Sequence, residues 1–156
     1  MIGKLAEAYG ASYCEARIFS VYGKYERAER LVPMVIGRLS KGEKVTIDRG
    51  DFVRDYLFAE DVADAVCHCL ENRAEGVYNI SSGEPVAIRE IVLRAADLLG
   101  RRRLVEFCPD AEKEGRESHL IVGDNSKIRE LGFKPRFSLE EGIAETLEWM
   151  KKSGRI

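Results

Sequence analysis

The sequence is poor in amide side chains and in long apolar segments. It has no glutamine and only three asparagines among 156 residues. No apolar run approaches the roughly 20 residues of a membrane-spanning helix, so we expect no membrane association. Lysine and arginine are scattered among aspartate and glutamate, and the net charge is −2, so no basic face indicates nucleic-acid binding. The shortage of amides and the 33% of charged residues are typical of thermophilic proteins.

Cysteine is scarce, and its spacing argues against a metal site. The four cysteines are Cys14, Cys67, Cys69 and Cys108, and none forms a C-x-x-C pair. Cys67 and Cys69 flank His68, but no second pair of ligands stands elsewhere, whereas tetrahedral zinc needs about four ligands. We therefore predict no metal ion, buried reduced thiols and a cytoplasmic location.

Motifs for cofactor binding and catalysis are also absent. No G-x-G-x-x-G or G-x-x-G-x-x-G follows a strand, so the sequence lacks the fingerprint that binds a dinucleotide. There is no Tyr-x-x-x-Lys, and no Ser/His/Asp or Cys/His arrangement stands out. His68 falls within a predicted helix and His119 near a predicted strand, which favours structural or surface roles for both. The sequence therefore predicts no catalytic residue.

Helical and strand patterns alternate along the chain. Helices are predicted over residues 2–9, 31–39, 60–71, 88–99, 124–131 and 138–151. Strands or extended segments are predicted over residues 13–19, 45–48, 54–58, 77–80, 104–107 and 120–122. Alternation of this kind indicates the α/β class. The length suits a single domain, residues 1–156, without a linker or repeats.

Four segments resemble, in order, motifs of one enzyme family. Residues 17–23 (RIFSVYG) resemble an R-x-x-N-V-Y-G strand end, and residues 45–62 (VTIDRGDFVRDYLFAEDV) resemble a G-x-G-x-x-R-D-[FY]-x-x-V-x-D-V block. Residues 77–83 (VYNISSG) resemble Y-N-[IL]-G-x-G, and residues 127–146 (KIRELGFKPRFSLEEGIAET) resemble K-x-x-x-L-G-[FW]-x-P-x-x-[ST]-L-E-E-G. The chain thereby resembles the NAD-dependent nucleotide-sugar epimerases/dehydratases, which are extended short-chain dehydrogenases.

The resemblance implies a particular part of that fold. We expect an α/β substrate-binding lobe together with the last strands of the Rossmann sheet, near Arg17 and Val77. The family's catalytic Tyr-x-x-x-Lys lies on a helix upstream of the Arg17 strand, and this sequence begins too late to contain it. The amino-terminal NAD-binding half is expected to be absent. NAD is therefore the cofactor of the intact family, but we expect none to be held by this chain alone.

The resemblance assigns Arg54 to the diphosphate of a nucleotide sugar. A planar guanidinium binds a diphosphate bidentately, which suits arginine, and a surface ion pair is the alternative. Leu31, Val32 and Pro33 correspond to the segment that cradles the nucleotide base, where an apolar helix start covers the ring. A helix stripe that faces the core explains the same three residues equally well.

Less complete matches concern the sugar, the phosphates and the nicotinamide. Ser20 stands where the family usually has asparagine, so the sugar or phosphate contact at that position is reduced to a single hydroxyl. Phe19 corresponds to a position near the nicotinamide, although a strand-end phenylalanine commonly belongs to the core. Lys113 and Arg116 occupy the place of an R-x-G-[DE] loop that binds phosphate and ribose, with a solvated charged loop as the alternative.

Several acidic residues are interpreted as structural rather than catalytic. Asp55, next to Arg54, is expected to orient a turn or to accept a hydrogen bond from a backbone amide. Glu60 and Asp61 begin a predicted helix, where carboxylates cap free amides and favour the helix dipole. Glu141 follows Ser138 at the spacing of a capping box.

These features predict the nucleotide-sugar-binding part of an NAD-dependent sugar epimerase/dehydratase, inactive when alone. The alternative is a non-catalytic binding or assembly protein built on the same lobe. The expected partners are a nucleotide sugar and either a separate NAD-binding half or further copies of this chain. A sheet that has lost neighbouring strands exposes unpaired backbone groups, and these drive association.

Overall fold

The computed structural model describes residues 2–108 and 119–156. The helices are α1 (Ile2–Ala8), α2 (Leu31–Ser40), α3 (Ala59–Glu71), α4 (Ile88–Leu98), α5 (Ser126–Glu130) and α6 (Leu139–Lys152). The strands are β1 (Cys14–Ile18), β2 (Ser20–Tyr22), β3 (Val45–Ile47), β4 (Val53–Phe58), β5 (Gly76–Ile80), β6 (Pro85–Ala87), β7 (Val105–Phe107) and β8 (Leu120–Ile121). None of the helices in these two ranges is long and apolar enough to cross a membrane.

Strand β4 is the centre of the largest sheet. β2 pairs parallel to its second half, while β6 (antiparallel) and β8 (parallel) pair with its first half. β1 and β5 form a separate parallel pair, and so do β3 and β7. The backbone N–H of Phe19 donates to the carbonyl of Ile80 at 3.1 Å, after which the chain enters β2. Phe19 and Ser20 therefore lie where the chain passes from one sheet to the next.

Two apolar clusters form the core. The larger cluster joins α2, α4 and α6 to β2, β3 and β4, and among its fully buried members are Ile36, Leu39, Val92 and Ile143. The smaller cluster joins α3 and α5 to β4 and β5, and its members include Ala65, Ile80, Ile128 and Phe133. Helix α4 buries the stripe that its periodicity predicts, namely Ile91, Val92 and Ala95.

Helix α6 begins with the capping box that the sequence predicts. The Ser138 hydroxyl accepts a hydrogen bond from the Glu141 backbone N–H at 3.3 Å, and the Glu141 carboxylate accepts one from the Ser138 backbone N–H at 2.8 Å. The hydroxyl and the amide of Ser138 hold the pKa of Glu141 below its usual value, because both stabilise the carboxylate. The box fixes where the last helix starts.

Two short strands were not predicted. The predicted strand ended at residue 19, but Ser20–Tyr22 form β2, and Pro85–Ala87 form β6. Each has three residues, too few for an alternating pattern to stand out from its surroundings. Both owe their extended conformation to hydrogen bonds with β4, a contact distant in sequence.

The prediction that Asp61 caps its own helix was wrong. The residue before α3 is Phe58, and no side chain caps that helix end. The buried Asp61 carboxylate instead accepts hydrogen bonds from the backbone N–H groups of Arg136 (2.9 Å) and Phe137 (3.2 Å). Glu60 pairs with Lys24 at 2.9 Å. Asp61 therefore anchors the segment that leads into α6.

The prediction of buried thiols was right for only part of the set. Cys69 is buried and Cys14 is half-buried, but Cys67 and Cys108 are exposed. Cys67 lies on the solvent side of α3, and Cys108 directly follows the short strand β7. All four thiols are free.

Candidate functional site

Arg54 lies near the start of the central strand β4 and is half-buried. Its Nη1 donates to the carbonyl of Val53 at 2.9 Å and to that of His119 at 3.3 Å. The guanidinium carbon stands 5.0 Å from the centre of the Phe52 ring. Within residues 2–108 and 119–156 these contacts include no carboxylate.

Asp55, on the opposite face of β4, ties three segments together. Its carboxylate is 1% exposed. Oδ1 accepts from the backbone N–H of Ser82 at 2.7 Å and from its hydroxyl at 2.8 Å. Oδ2 accepts from the backbone N–H groups of Gly83 at 2.9 Å and Gly123 at 3.1 Å. The expected acceptor role is thus confirmed, and it holds the loop after β5 and the segment after β8 against β4.

Tyr56 shares a face of β4 with Arg54, because side chains alternate along a strand. Burial raises the pKa of the Tyr56 phenol. Nearby charges have smaller effects: Arg30 and Arg54 lower this pKa, and Glu26 raises it. A raised pKa keeps the phenol protonated at neutral pH, where it can donate a hydrogen bond. Tyr56 therefore lies within electrostatic reach of two arginines.

Arg30 and Glu26 face each other just before α2. The Nε of Arg30 stands 3.3 Å from a carboxylate oxygen of Glu26. Burial raises the pKa of Glu26, against the opposing effect of Arg30, and the second carboxylate oxygen is buried without a hydrogen-bond partner among the described residues. The Arg30 side chain is 62% exposed, so it remains accessible to a ligand.

Phe19 and Ser20 adjoin the polar cluster formed by Arg54, Tyr56, Arg30 and Glu26. In the register of the sheet, Ser20 stands opposite Tyr56, two positions along β4 from Arg54. Phe19 is half-buried and lies on the wall of a cavity of about 400 Å³. The cavity is lined by Phe19, Val21, Tyr22, Gly23, Lys24, Tyr25, Glu26, Arg30 and Ala59. The junction between β1 and β2 thus borders a ligand-sized cavity whose wall also includes Arg30 and Glu26.

The start of α2 divides between core and surface. Val32 and Pro33 are buried, and Val32 belongs to the larger core cluster, whereas Leu31 is half-buried and packs at its edge. Pro33 also lines a second cavity, of about 880 Å³, between α2 and the end of α6. Leu31 is therefore the member of this trio most open to a ligand, while Val32 supports it from within.

Comparison with known proteins assigns the chain to a family. The family described as GDP-mannose 4,6 dehydratase matches residues 1–146. The chain belongs to this family. Its members are NAD-dependent epimerases/dehydratases of the extended short-chain dehydrogenase type, as the four motifs predicted.

Individual relatives support the same assignment. A dTDP-glucose 4,6-dehydratase of Shigella flexneri is 30% identical over 151 residues, which are 90% of this chain and 41% of that protein. The crystal structure of a Thermotoga maritima UDP-glucose 4-epimerase with UDP-glucose matches with a TM-score of 0.82 at 29% identity, over 97% of this chain and 50% of that one. A Thermus thermophilus UDP-glucose 4-epimerase in complex with NAD matches with a TM-score of 0.83 at 27% identity, over 96% of this chain and 50% of that one.

The chain spans about half the length of the epimerases and dehydratases that it matches. Over that span it has the α/β fold of the extended short-chain dehydrogenases, as predicted. The two strands expected near Arg17 and Val77 are present as β1 and β5, and the structure pairs them with each other in parallel.

Two of the residues predicted to bind phosphate and ribose cannot be compared with the structure. Lys113 and Arg116 lie outside the described residues, so their roles stay predictions. His119 is the first described residue after them. Its ring stands edge-on to the ring of Phe52, with 4.5 Å between the ring centres, and its Nδ1 lies 3.6 Å from a carboxylate oxygen of Asp51. The backbone carbonyl of His119 receives the Arg54 hydrogen bond, which links this segment to β4.

Three residues of the cluster were missed by sequence reasoning: Glu26, Arg30 and Tyr56. Tyr56 is two positions from Arg54 on a strand, and strand periodicity alone would have placed both on one face. Arg30 directly precedes the predicted base-binding segment that begins at Leu31, and this position next to a candidate site could have identified it. Glu26 carried no local signal, because its burial depends on packing from several elements.

Proposed function

We propose that this chain is the nucleotide-sugar-binding part of an NAD-dependent sugar epimerase/dehydratase. The observation that carries the proposal is the Arg54 guanidinium, which has no carboxylate partner among the described residues and lies on the same face of β4 as Tyr56. Arg54 binds the diphosphate through charge-assisted hydrogen bonds, and the exposed Arg30 adds a second positive charge. Leu31 borders the nucleotide base.

The substrate's uncharged groups are bound by weaker contacts. The neutral Tyr56 phenol donates one hydrogen bond, and the Ser20 hydroxyl either donates or accepts one. Glu26 lies on the wall of the same cavity as Phe19 and Arg30, where its carboxylate accepts a hydrogen bond from a sugar hydroxyl.

NAD does not fit the residues of this sequence. The dinucleotide needs a glycine-rich turn between a strand and a helix, where backbone N–H groups bind the pyrophosphate. The sequence has no G-x-G-x-x-G or G-x-x-G-x-x-G that would form such a turn. Phe19 offers one ring for the nicotinamide to pack against and nothing for the rest of the cofactor. In this proposal NAD and the Tyr-x-x-x-Lys pair come from residues outside this sequence.

Calorimetry with a graded ligand series tests the proposal. We expect UDP-, dTDP-, GDP- or CDP-sugars and the matching nucleoside diphosphates to bind, the matching nucleosides to bind much more weakly, and affinity to fall as salt rises. The same series is run after mixing the chain with the separately produced NAD-binding half of a relative. Equal affinity for nucleoside and nucleotide sugar, or no binding with or without the added half, would contradict the proposal.

A further inference from the structure

Phe52 lies at the centre of a group of contacts directly before strand β4. The guanidinium carbon of Arg54 stands 5.0 Å from the centre of the Phe52 ring, and that of Arg49 stands 5.4 Å from the same centre. The imidazole ring of His119 approaches edge-on, with 4.5 Å between the ring centres. An aromatic face attracts a guanidinium through the quadrupole of the ring. One ring therefore contacts two cationic side chains.

The backbone around Phe52 explains why both arginines reach its ring. Phe52 directly precedes β4, and side chains alternate along an extended chain, so its ring lies on the same face as Arg54. The backbone N–H of Phe52 donates to the carbonyl of Arg49 at 3.2 Å, which closes a turn between the two residues. The turn returns Arg49 to the ring from one side, and the strand brings Arg54 to it from the other direction along the chain.

Hydrogen bonds also fix the backbone that carries the ring. The carbonyl of Phe52 accepts from the N–H of Ile88 at 2.9 Å, at the start of α4. The N–H of Val53 donates to the carbonyl of His119 at 2.7 Å, and the same carbonyl accepts from Nη1 of Arg54 at 3.3 Å. The Phe52 ring is half-buried on this backbone. It is therefore a fixed support, whereas arginine side chains are long and flexible.

We propose that Phe52 is a positioning residue, which holds Arg49 and Arg54 at one ring so that both guanidinium groups bind the diphosphate of a nucleotide sugar. This rests on the proposed function, which assigns the diphosphate to Arg54 and adds Arg30 as a further positive charge. A guanidinium forms a bidentate pair with one phosphate group. A diphosphate has two such groups, so Arg49 provides for the second what Arg54 provides for the first.

The ring acts before the ligand arrives. An arginine that samples many rotamers loses this freedom when it binds a phosphate. A ring contact already restricts Arg49 and Arg54 in the free chain, so less conformational entropy is lost on binding. The ring also holds two like charges near each other, and a bound diphosphate lowers their mutual repulsion. Both effects reach the ligand through the arginines, because the Phe52 side chain has no group that binds phosphate.

Calorimetry on the nucleotide sugar that binds best tests the inference with single and double variants. Phe52→Leu keeps an apolar side chain without the aromatic face and should weaken binding by about three- to tenfold. Phe52→Tyr keeps the ring and should restore the affinity of the unaltered chain. Arg49→Ala should weaken binding by about tenfold. In the Arg54→Ala background, Phe52→Leu should have a smaller effect than in the unaltered chain, because the ring then has one arginine fewer to position.

The positioning is also measurable without a ligand. A guanidinium over an aromatic ring lies in its ring current, which shifts the Nε–H proton signal upfield. We expect this shift for Arg49 and Arg54 in the nuclear magnetic resonance spectrum of the free chain at mildly acid pH. It should be lost in Phe52→Leu and kept in Phe52→Tyr. The exposed Arg103, in the turn before β7, is the matched control and should give the same signal in all three chains.

The outcomes separate this inference from the proposed function. If Arg54→Ala weakens binding while Phe52→Leu or Arg49→Ala does not, the inference is wrong and the proposed function stands. An equal effect of Phe52→Leu with and without Arg54 would mean that the ring supports the fold rather than the arginine, which also overturns it. Arginine signals that do not respond to Phe52→Leu would overturn it independently of any ligand. Absence of nucleotide-sugar binding in every form of the chain would contradict both.

Discussion

Gly142 lies directly against the hydroxyl of Tyr22. That hydroxyl donates a hydrogen bond to the carbonyl of Leu139 at 3.2 Å, at the start of α6. A Cβ at position 142 would meet the Tyr22 hydroxyl, with the Tyr22 Cζ at 2.8 Å and the Phe58 Cδ2 at 3.0 Å. The V-Y-G segment and the L-E-E-G segment, far apart in sequence, are joined by a contact that leaves no room for a side chain.

Gly142→Ala is expected to destabilise the fold by about 1–3 kcal/mol, because the new methyl group must displace the ring of Tyr22 from a packed core. Urea unfolding followed by circular dichroism measures the change. Gly37→Ala in α2 is the matched control: its Cβ would have only the Met150 Cε, at 3.9 Å, as a close neighbour. Helix propensity alone then makes the control about 0.5–1 kcal/mol more stable. Equal effects of the two substitutions would refute the packing argument.

Asp55→Asn should cost about 3 kcal/mol of unfolding free energy or more. The substituted amide can still accept from Ser82, but its NH₂ group would face the N–H donors of Gly83 and Gly123, which then lose their acceptor in a buried place. Chemical denaturation is the measurement. The exposed Asp48→Asn is the control and should change stability by less than about 0.5 kcal/mol. A small effect at Asp55 would mean that water replaces the carboxylate.

Arg54→Ala should weaken nucleotide-sugar binding by about tenfold or more, since a charge-assisted hydrogen bond contributes about 1.5–3 kcal/mol. Calorimetry on the nucleotide sugar that binds best measures the loss. Arg54→Lys keeps the charge without the planar fork and should recover only part of the affinity. Arg103→Ala, at an exposed arginine of the turn before β7, should bind as the unaltered chain does. Unchanged affinity in Arg54→Ala would remove this residue from the site.

The chain alone should not turn over nucleotide sugars. The family's chemistry requires bound NAD and a tyrosine base, and this sequence supplies neither a dinucleotide fingerprint nor Tyr-x-x-x-Lys. The assay incubates the purified chain with NAD and UDP-, GDP-, CDP- or dTDP-sugars and follows products by chromatography. Turnover above a heat-denatured control would disprove the prediction.

We expect the chain to associate rather than to remain a free monomer. Among the described residues β1 pairs with β5 alone, so its other edge has unpaired backbone groups, and Ile18 on this strand is 50% exposed. Ile2 and Leu5 on the short helix α1 are 68% and 59% exposed. Sedimentation at micromolar concentration should show a species larger than 17.6 kDa.

A pair of substitutions locates the surface responsible for this association. Ile18→Lys places a charge on the open strand and should shift the equilibrium toward monomer. Leu98→Lys, at a similarly exposed leucine (40%) on α4, should leave association unchanged. A compact monomer with cooperative unfolding in the unaltered chain would show that the open edge of β1 does not drive association.

The sequence by itself determined the α/β class, the family and the positions of the six α-helices found in residues 2–108 and 119–156. These depend on local signals: the apolar stripe of α4, the capping box at Ser138, and four motifs in order. It also predicted that Asp55 accepts hydrogen bonds from backbone amides, whereas the role of its neighbour Arg54 stays a prediction. Each of these properties depends on residues that are close together in sequence, because helical periodicity, capping and motif spacing are local patterns.

Tertiary structure decided the rest, because the missed features depend on contacts between distant segments. The three-residue strands β2 and β6 are extended only because β4 pairs with them. Asp61 looked like a helix cap, yet its carboxylate binds backbone 75 residues away. Glu26 has a raised pKa only because packing buries its carboxylate. Burial and partner choice are properties of the folded chain, and no local pattern specifies them.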